Sequence, residues 1–131
     1  MHDARSRVLV IEDDAAFRVT LVDALRAAGF SVLAMAAADT ALTHVDGWLS
    51  GKESPPDAIV TDLKMRGASG LDLVTVLRGR GLDIPVVLVT AFGDRDVHRR
   101  AALAGATSVF DKPFDLDDLV ATLIRFRREE A

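Results

Sequence analysis

The sequence predicts an α/β protein built as one doubly wound, open parallel sheet. Two observations carry this reading. Short apolar runs rich in β-branched residues alternate five times with longer segments whose apolar residues recur every three or four positions, the signature of βα units. The apolar runs also lack a polar face, as expected of parallel strands covered by helices on both sides. A length of 131 residues, half of them hydrophobic, suits a single domain with a real core, expected to cover 1–131 with its core at about 6–127.

The elements follow in order. Residues 7–11 (RVLVI) read as the first strand and lead through Glu12, Asp13 and Asp14 into a helix whose Phe17, Leu21 and Leu25 form one stripe; Asp14 reads as its N-cap and Gly29 as its stop. Residues 31–35 form the second strand, followed by a helix with the stripe Leu42, Val45 and Leu49 and by GKESPP (51–56), a surface loop. The third strand, 58–61, runs into Asp62 and a Gly-rich turn, with Leu73, Val74 and Leu77 marking the next helix. The fourth strand, 85–89, precedes an Ala-rich, weakly amphipathic helix over 94–104 that Gly105 should stop. The fifth, 107–110, passes through Lys112 and Pro113 into a helix carrying Leu116, Leu119, Leu123 and Phe126. Five βα units imply helices on both faces of the sheet, and the expected strand order is 2-1-3-4-5, the flavodoxin-like arrangement. A different order moves the ligand crevice elsewhere, and the element pattern does not choose between them.

Composition excludes several classes. There is no cysteine, hence no disulfide, thiolate metal site or cysteine nucleophile, which fits a reducing cytoplasm. The first residues are charged and the first apolar stretch is short, so neither a signal peptide nor a membrane span is expected there. A net charge of −4 without a long basic block argues against direct nucleic-acid binding by this chain. His2, His44 and His98 are scattered and read as surface residues.

The polar residues at the strand ends carry the chemistry. The first strand runs into acids, the third ends on Asp62, the fourth on Thr90, and the fifth is followed by Lys112. All lie at carboxyl ends, the edge where open α/β sheets bind ligands. With order 2-1-3-4-5 the switch point puts Glu12 and Asp13 beside Asp62. Clustered carboxylates repel unless neutralised, and a divalent cation with oxygen ligands and room for waters, Mg²⁺, is the simplest remedy. Thr90 and Lys112 add a hydroxyl and an ammonium, together describing a phosphoryl site in which a carboxylate can act as nucleophile. Taken singly, each piece is ordinary: first-turn acids complement a helix dipole, and a strand-end Asp or a Lys-Pro pair is common turn chemistry. Their convergence from four strand ends is what points to a site.

At these residues the chain resembles bacterial response-regulator receiver domains over essentially its whole length. VLVIEDDAAFR, VTDLKMRGASGLDLV, VVLVTAFGD, AGATSVF and DKPF resemble the family's successive blocks, the last ones most like receivers of transcriptional activators. The resemblance implies that Asp62 is the phosphoacceptor, Asp13 a direct Mg²⁺ ligand, Glu12 a companion acid acting through water, and the Lys64 carbonyl a further ligand. Thr90, Lys112 and the backbone N–H of Ala91 would contact phosphoryl oxygens; Lys112–Pro113 resembles a bond that is cis in the family, and Phe110 takes the place of the aromatic switch residue. The implied partner is a sensor histidine kinase or phosphotransfer protein. The implied output surface is the fourth helix, fifth strand and fifth helix, with Arg95, Arg99, Arg100, Asp115 and Asp118, available to a phosphorylation-dependent homodimer.

Two departures stand out. Met65 is followed by Arg66 where the family usually has proline, and Lys64 sets a cation at the lip of the site, where it is expected to alter hydrolysis of the aspartyl phosphate or kinase choice. Phe110 lacks the hydroxyl of the commoner tyrosine. Rival readings are weaker. A haloacid-dehalogenase-type phosphatase needs a second acid two residues after its nucleophile, where Lys64 stands; a flavodoxin-like cofactor binder needs a Gly- or Ser/Thr-rich phosphate loop where EDDAAF stands. A receiver that no longer switches and serves only for docking would keep the fold but not need the full set of site residues.

Overall fold

The computed structural model describes residues 6–91, 93 and 95–130. Its elements run β1 (Arg7–Ile11), α1 (Ala15–Ala27), β2 (Ser31–Met35), α2 (Ala38–Leu42), α3 (Val45–Ser50), β3 (Ala58–Asp62), α4 (Gly70–Gly79), β4 (Val86–Thr90), α5 (Arg95–Ala104), β5 (Ser108–Asp111) and α6 (Leu116–Glu130). The five strands form one parallel sheet in the order β2-β1-β3-β4-β5. This is the flavodoxin-like arrangement expected, with its switch point between β1 and β3.

Alternation along each strand divides the core in two. Leu9, Ile11, Ile59, Val86 and Leu88 face one way, onto Ala38, Ala41, Val45, Trp48, Leu73, Leu77 and Ala101 of α2 to α5. Val8, Val10, Val60, Val87 and Val89 face the other way, onto Leu21, Leu25, Leu119 and Leu123 of α1 and α6. The central strands are therefore apolar on both faces until their carboxyl ends, where Thr61, Asp62 and Thr90 stand. β2, at the edge, departs from the expectation of cover on both faces, since Leu33 and Ala34 are exposed.

The local signals act as physical chemistry requires. The Asp14 carboxylate accepts the Phe17 N–H at 3.0 Å and caps α1. Gly29 and Gly105, at φ +96° and +104°, take the left-handed conformation that ends α1 and α5. Ser69 and Asp72 form a reciprocal capping box at the start of α4.

The single second helix expected over Leu42, Val45 and Leu49 is two helices. At Thr43 and His44 the chain tightens into i→i−3 bonds, Thr43 N–H to Thr40 O at 3.2 Å and His44 N–H to Ala41 O at 3.0 Å. The break shifts the helical phase, so Trp48 is buried and Leu49 is 41% exposed. The 51–56 loop lies against β1, where the Arg7 N–H donates to Asp57 Oδ2 at 2.7 Å and the Arg7 guanidinium to Ser54 O at 3.2 Å. His2 and Asp94, the expected start of α5, lie outside the described residues.

Candidate functional site

The carboxyl ends of β1 and β3 bring Glu12, Asp13 and Asp62 together, with one carboxylate oxygen of each within 4.8 Å of the others. The strand order makes this cluster, because β3 pairs with β1 in a register that sets Thr61 beside Ile11. Lys112 enters from the end of β5, across the crevice. Its ammonium donates to Asp62 Oδ2 at 2.9 Å and to Glu12 Oε1 at 3.2 Å. The Lys112–Pro113 bond is cis, and the Lys112 N–H donates to the Thr90 carbonyl at 2.8 Å, which fixes the base of the lysine to β4. Beneath the ammonium lies the Phe17 ring, 4.5 Å from Nζ to its centroid, a cation–π contact from α1.

Glu12 is 1% exposed, and its Oε2 is buried without a hydrogen-bond partner among the described residues. Burial first, and then the neighbouring Asp62 carboxylate, pushes the Glu12 carboxyl up to about 7 against the opposing pull of Lys112. For Lys112 burial is the largest influence and lowers the pKa, but hydrogen bonds and charge from Asp62 and Glu12 outweigh it and leave the ammonium held above its ordinary value. One lysine therefore faces three carboxyl groups, an excess of negative charge with a partnerless buried oxygen. That donor set, all hard oxygens, fits Mg²⁺.

Around the acids the backbone is close-packed. The Lys64 N–H donates to Asp62 Oδ1 at 3.1 Å, and the Gly70 N–H donates to the Leu63 carbonyl at 3.0 Å. A Cβ on Gly70 would stand 2.4 Å from the Asp62 carbonyl and 2.9 Å from Leu88 Cδ2, so only glycine lets α4 start this near the end of β3. Asp39, at the start of α2, accepts the Ala68 N–H at 3.2 Å and ties down the loop after Asp62. Thr90 is buried at the end of β4, and Ala91 follows it at the surface.

Phe110 requires a correction. It pairs with Val89 across β4 and packs with Phe114, ring centroids 5.4 Å apart, in the core beneath α1 and α6. Thr90 is one residue further along β4 and so faces the opposite side, the side of Val109, which packs toward α5. Phe110 is therefore not placed to fill space beside Thr90. Two adjacent apolar residues in β5 left the facing undetermined until the register was known. Asp111, level with Thr90, holds His98 of α5 at 2.8 Å, a contact between two elements that sequence spacing gave no means of pairing. His44, similarly, pairs with Glu53 at 2.7 Å. Arg18, whose guanidinium donates to the Glu12 carbonyl at 2.7 Å, was equally unmarked in the sequence, being one more polar residue on α1.

An open parallel sheet with an acid cluster and a lysine at its switch point defines a class of small signalling domains. The family model of the response regulator receiver domain matches residues 8–124, and the chain belongs to that family. Its members serve two-component signalling. The chain is 34% identical over 118 residues to the acid tolerance regulatory protein ActR of Rhizobium meliloti, covering 90% of this chain and 58% of that protein. It is 37% identical over 115 residues to the transcriptional regulatory protein PrrA of Mycobacterium tuberculosis, covering 88% of this chain and 47% of that protein. The chain thus spans about half the length of these curated relatives. Among solved structures, the receiver domain of the Francisella response regulator 1452 superposes with a TM-score of 0.87 at 20% identity, covering 97% of this chain and all of that one. The chemotaxis response regulator CheY4 of Vibrio cholerae gives 0.78 at 24%, covering 94% of this chain and 99% of that one. These two likenesses speak for the fold.

Proposed function

We propose that this chain accepts a phosphoryl group on Asp62 from the phosphohistidine of a sensor kinase or phosphotransfer protein. The observation that carries the reading is the Lys112 ammonium shared between Asp62 and Glu12 at the switch point. An Asp62 oxygen attacks phosphorus in line; the new O–P bond forms as the P–N bond to the donor imidazole breaks, and the electron pair leaves with the imidazole. Lys112 stays protonated and balances charge on the phosphoryl oxygens, while the Thr90 hydroxyl and the Ala91 N–H donate to those oxygens. Asp13, Asp62 and the Lys64 carbonyl would hold Mg²⁺, with Glu12 acting through water. When bound, the ion neutralises charge on the transferring group. The partnerless Glu12 oxygen supports a cation at this place.

In this reading residues 1–131 act as one cytoplasmic receiver with its core at about 6–127. Among the described residues no helix is long and apolar enough to cross a membrane. Phosphorylation adds charge that Thr90 can hydrogen-bond, which draws the loop after β4 inward and biases the surface formed by α5, β5 and α6, with Arg95, Arg99, Arg100, Asp115 and Asp118, toward a phosphorylation-dependent homodimer or another partner. The relatives' names as regulatory proteins support an output in transcription, with nucleic acid contacted outside this chain. The test is intact mass after incubation with a small-molecule phosphodonor and Mg²⁺. One added phosphoryl group, absent from Asp62→Asn and from an EDTA control, is expected. No adduct on the unaltered chain, even with a stable phosphoryl mimic, overturns the reading in favour of a docking module. Lys64 at the lip is expected to change the phosphoryl lifetime, and equal dephosphorylation rates for Lys64→Ala and the unaltered chain would remove that role.

A further inference from the structure

β2 is an edge strand that nothing in its sequence protects. Proteins blunt open edges with charges, proline, bulges or very short strands. From residue 27 to residue 38 there is neither a charge nor a proline, in a chain of which 27% is charged. The opposite edge strand, β5, is four residues long and runs into Lys112 and Pro113. Leu33, at the centre of β2, is 55% exposed and Ala34 beside it is exposed too, so mid-strand is open on both faces. Among the described residues β2 pairs with β1 alone.

The backbone defines what can pair there. The Ser31 N–H donates to the Ser6 carbonyl at 2.9 Å, and the Met35 carbonyl accepts the Glu12 N–H at 3.0 Å, so residues 31, 33 and 35 turn their backbone groups toward β1. By alternation along the strand, the N–H and C=O groups of Val32 and Ala34 point off the edge. We propose that β2 is the interface for a second copy of this chain, paired antiparallel about a two-fold axis at Leu33. Val32 and Ala34 of one copy then exchange N–H···O=C bonds with Ala34 and Val32 of the other, four bonds in all. Leu33 meets its own counterpart as the non-hydrogen-bonded pair, where side chains lie closest. Self-pairing is favoured by the absence of charge: Ser31 faces Met35, Val32 faces Ala34 and Leu33 faces Leu33, with no like charges opposed. On the Leu33 face a groove of about 370 Å³ opens over β1 and β2, lined by Arg7, Ser31, Leu33, Met35, Trp48 and Glu53 among others, and Met35 of the second copy, set opposite Ser31, would reach it from the edge with an unbranched thioether. The two-fold closes the contact, consumes the β2 edge of both copies and makes one ten-stranded sheet. It requires no phosphoryl group.

Sedimentation of the unphosphorylated chain over a concentration series tests this. A discrete monomer–dimer equilibrium is expected. Ala34→Pro removes an outward N–H that β1 does not use, so the monomer keeps its fold, and two symmetry-related bonds are lost; dimer affinity should fall by roughly tenfold or more. Leu33→Lys and Leu33→Glu should each be monomeric and form a dimer again when mixed. Because the chain has no cysteine, Leu33→Cys should cross-link on mild oxidation, the facing Cα atoms lying about 4.5 Å apart in such a pair, while Ala34→Cys should not. A chain that stays monomeric at every concentration, an aggregate of no defined size, failure of the Lys and Glu variants to pair, or equal cross-linking at 33 and 34 overturns the proposal. A monomer that instead captures an added extended apolar peptide along β2 overturns it in favour of a heterologous strand partner.

Discussion

The sheet leaves two kinds of group unsatisfied at two of its margins. At the carboxyl edge, Glu12, Asp13, Asp62 and Lys112 crowd side-chain charge into a crevice, and one buried Glu12 oxygen has no partner among the described residues. Along β2 there is no charge, and what is left over is the backbone itself, the outward N–H and C=O groups of Val32 and Ala34. The first margin calls for a cation and a charged group; the second calls for a strand. The contrast shows that a functional edge can be marked by excess charge or by its absence, and that the two need different partners. They should also respond to different perturbations.

The largest effect should come from Lys112. Lys112→Ala removes the ammonium that balances Asp62 and Glu12 and should slow formation of the phosphoryl adduct by about 10²–10³-fold, whereas Ala34→Pro should leave that rate unchanged; a rate lost in both variants would break the separation of the two margins. Next, Gly70→Ala forces a methyl group toward the Asp62 carbonyl and should lower stability by about 1–3 kcal/mol, read as a shift in denaturant midpoint without a change in slope.

The crevice charge should then appear as a pH dependence. With its folded pKa near 7 and its ordinary value at 4.5, Glu12 keeps in the folded state a proton that the unfolded chain releases between those values. Its contribution is fully present below pH 4.5 and is lost as pH rises through 7, a change of order 3 kcal/mol in a chelator. Glu12→Gln should flatten that slope in urea titrations at several pH values, and added Mg²⁺ should reduce it in the unaltered chain. An unchanged slope in Glu12→Gln would mean that another group carries it. The smallest effect belongs to β2: in dilute monomer Leu33→Lys should shift stability by no more than about 0.5 kcal/mol, since the side chain is already half in water. A larger loss would show that Leu33 supports the monomer and blur the comparison.

What the sequence determined by itself was local. Five strands, the Asp14 cap, the glycine stops at 29 and 105 and the acids at strand ends were legible because alternation, helical period and capping act over a few residues. What the tertiary structure decided was long-range: that β3 lies against β1, that Lys112 reaches Glu12 across 100 residues of chain, and that Phe110 faces α1 and α6 rather than Thr90. The split at Thr43 belongs there too, since Trp48 finds the core only once the helical phase is broken. Register and facing depend on which strand pairs with which, and in an apolar strand covered on both faces no side chain records that choice.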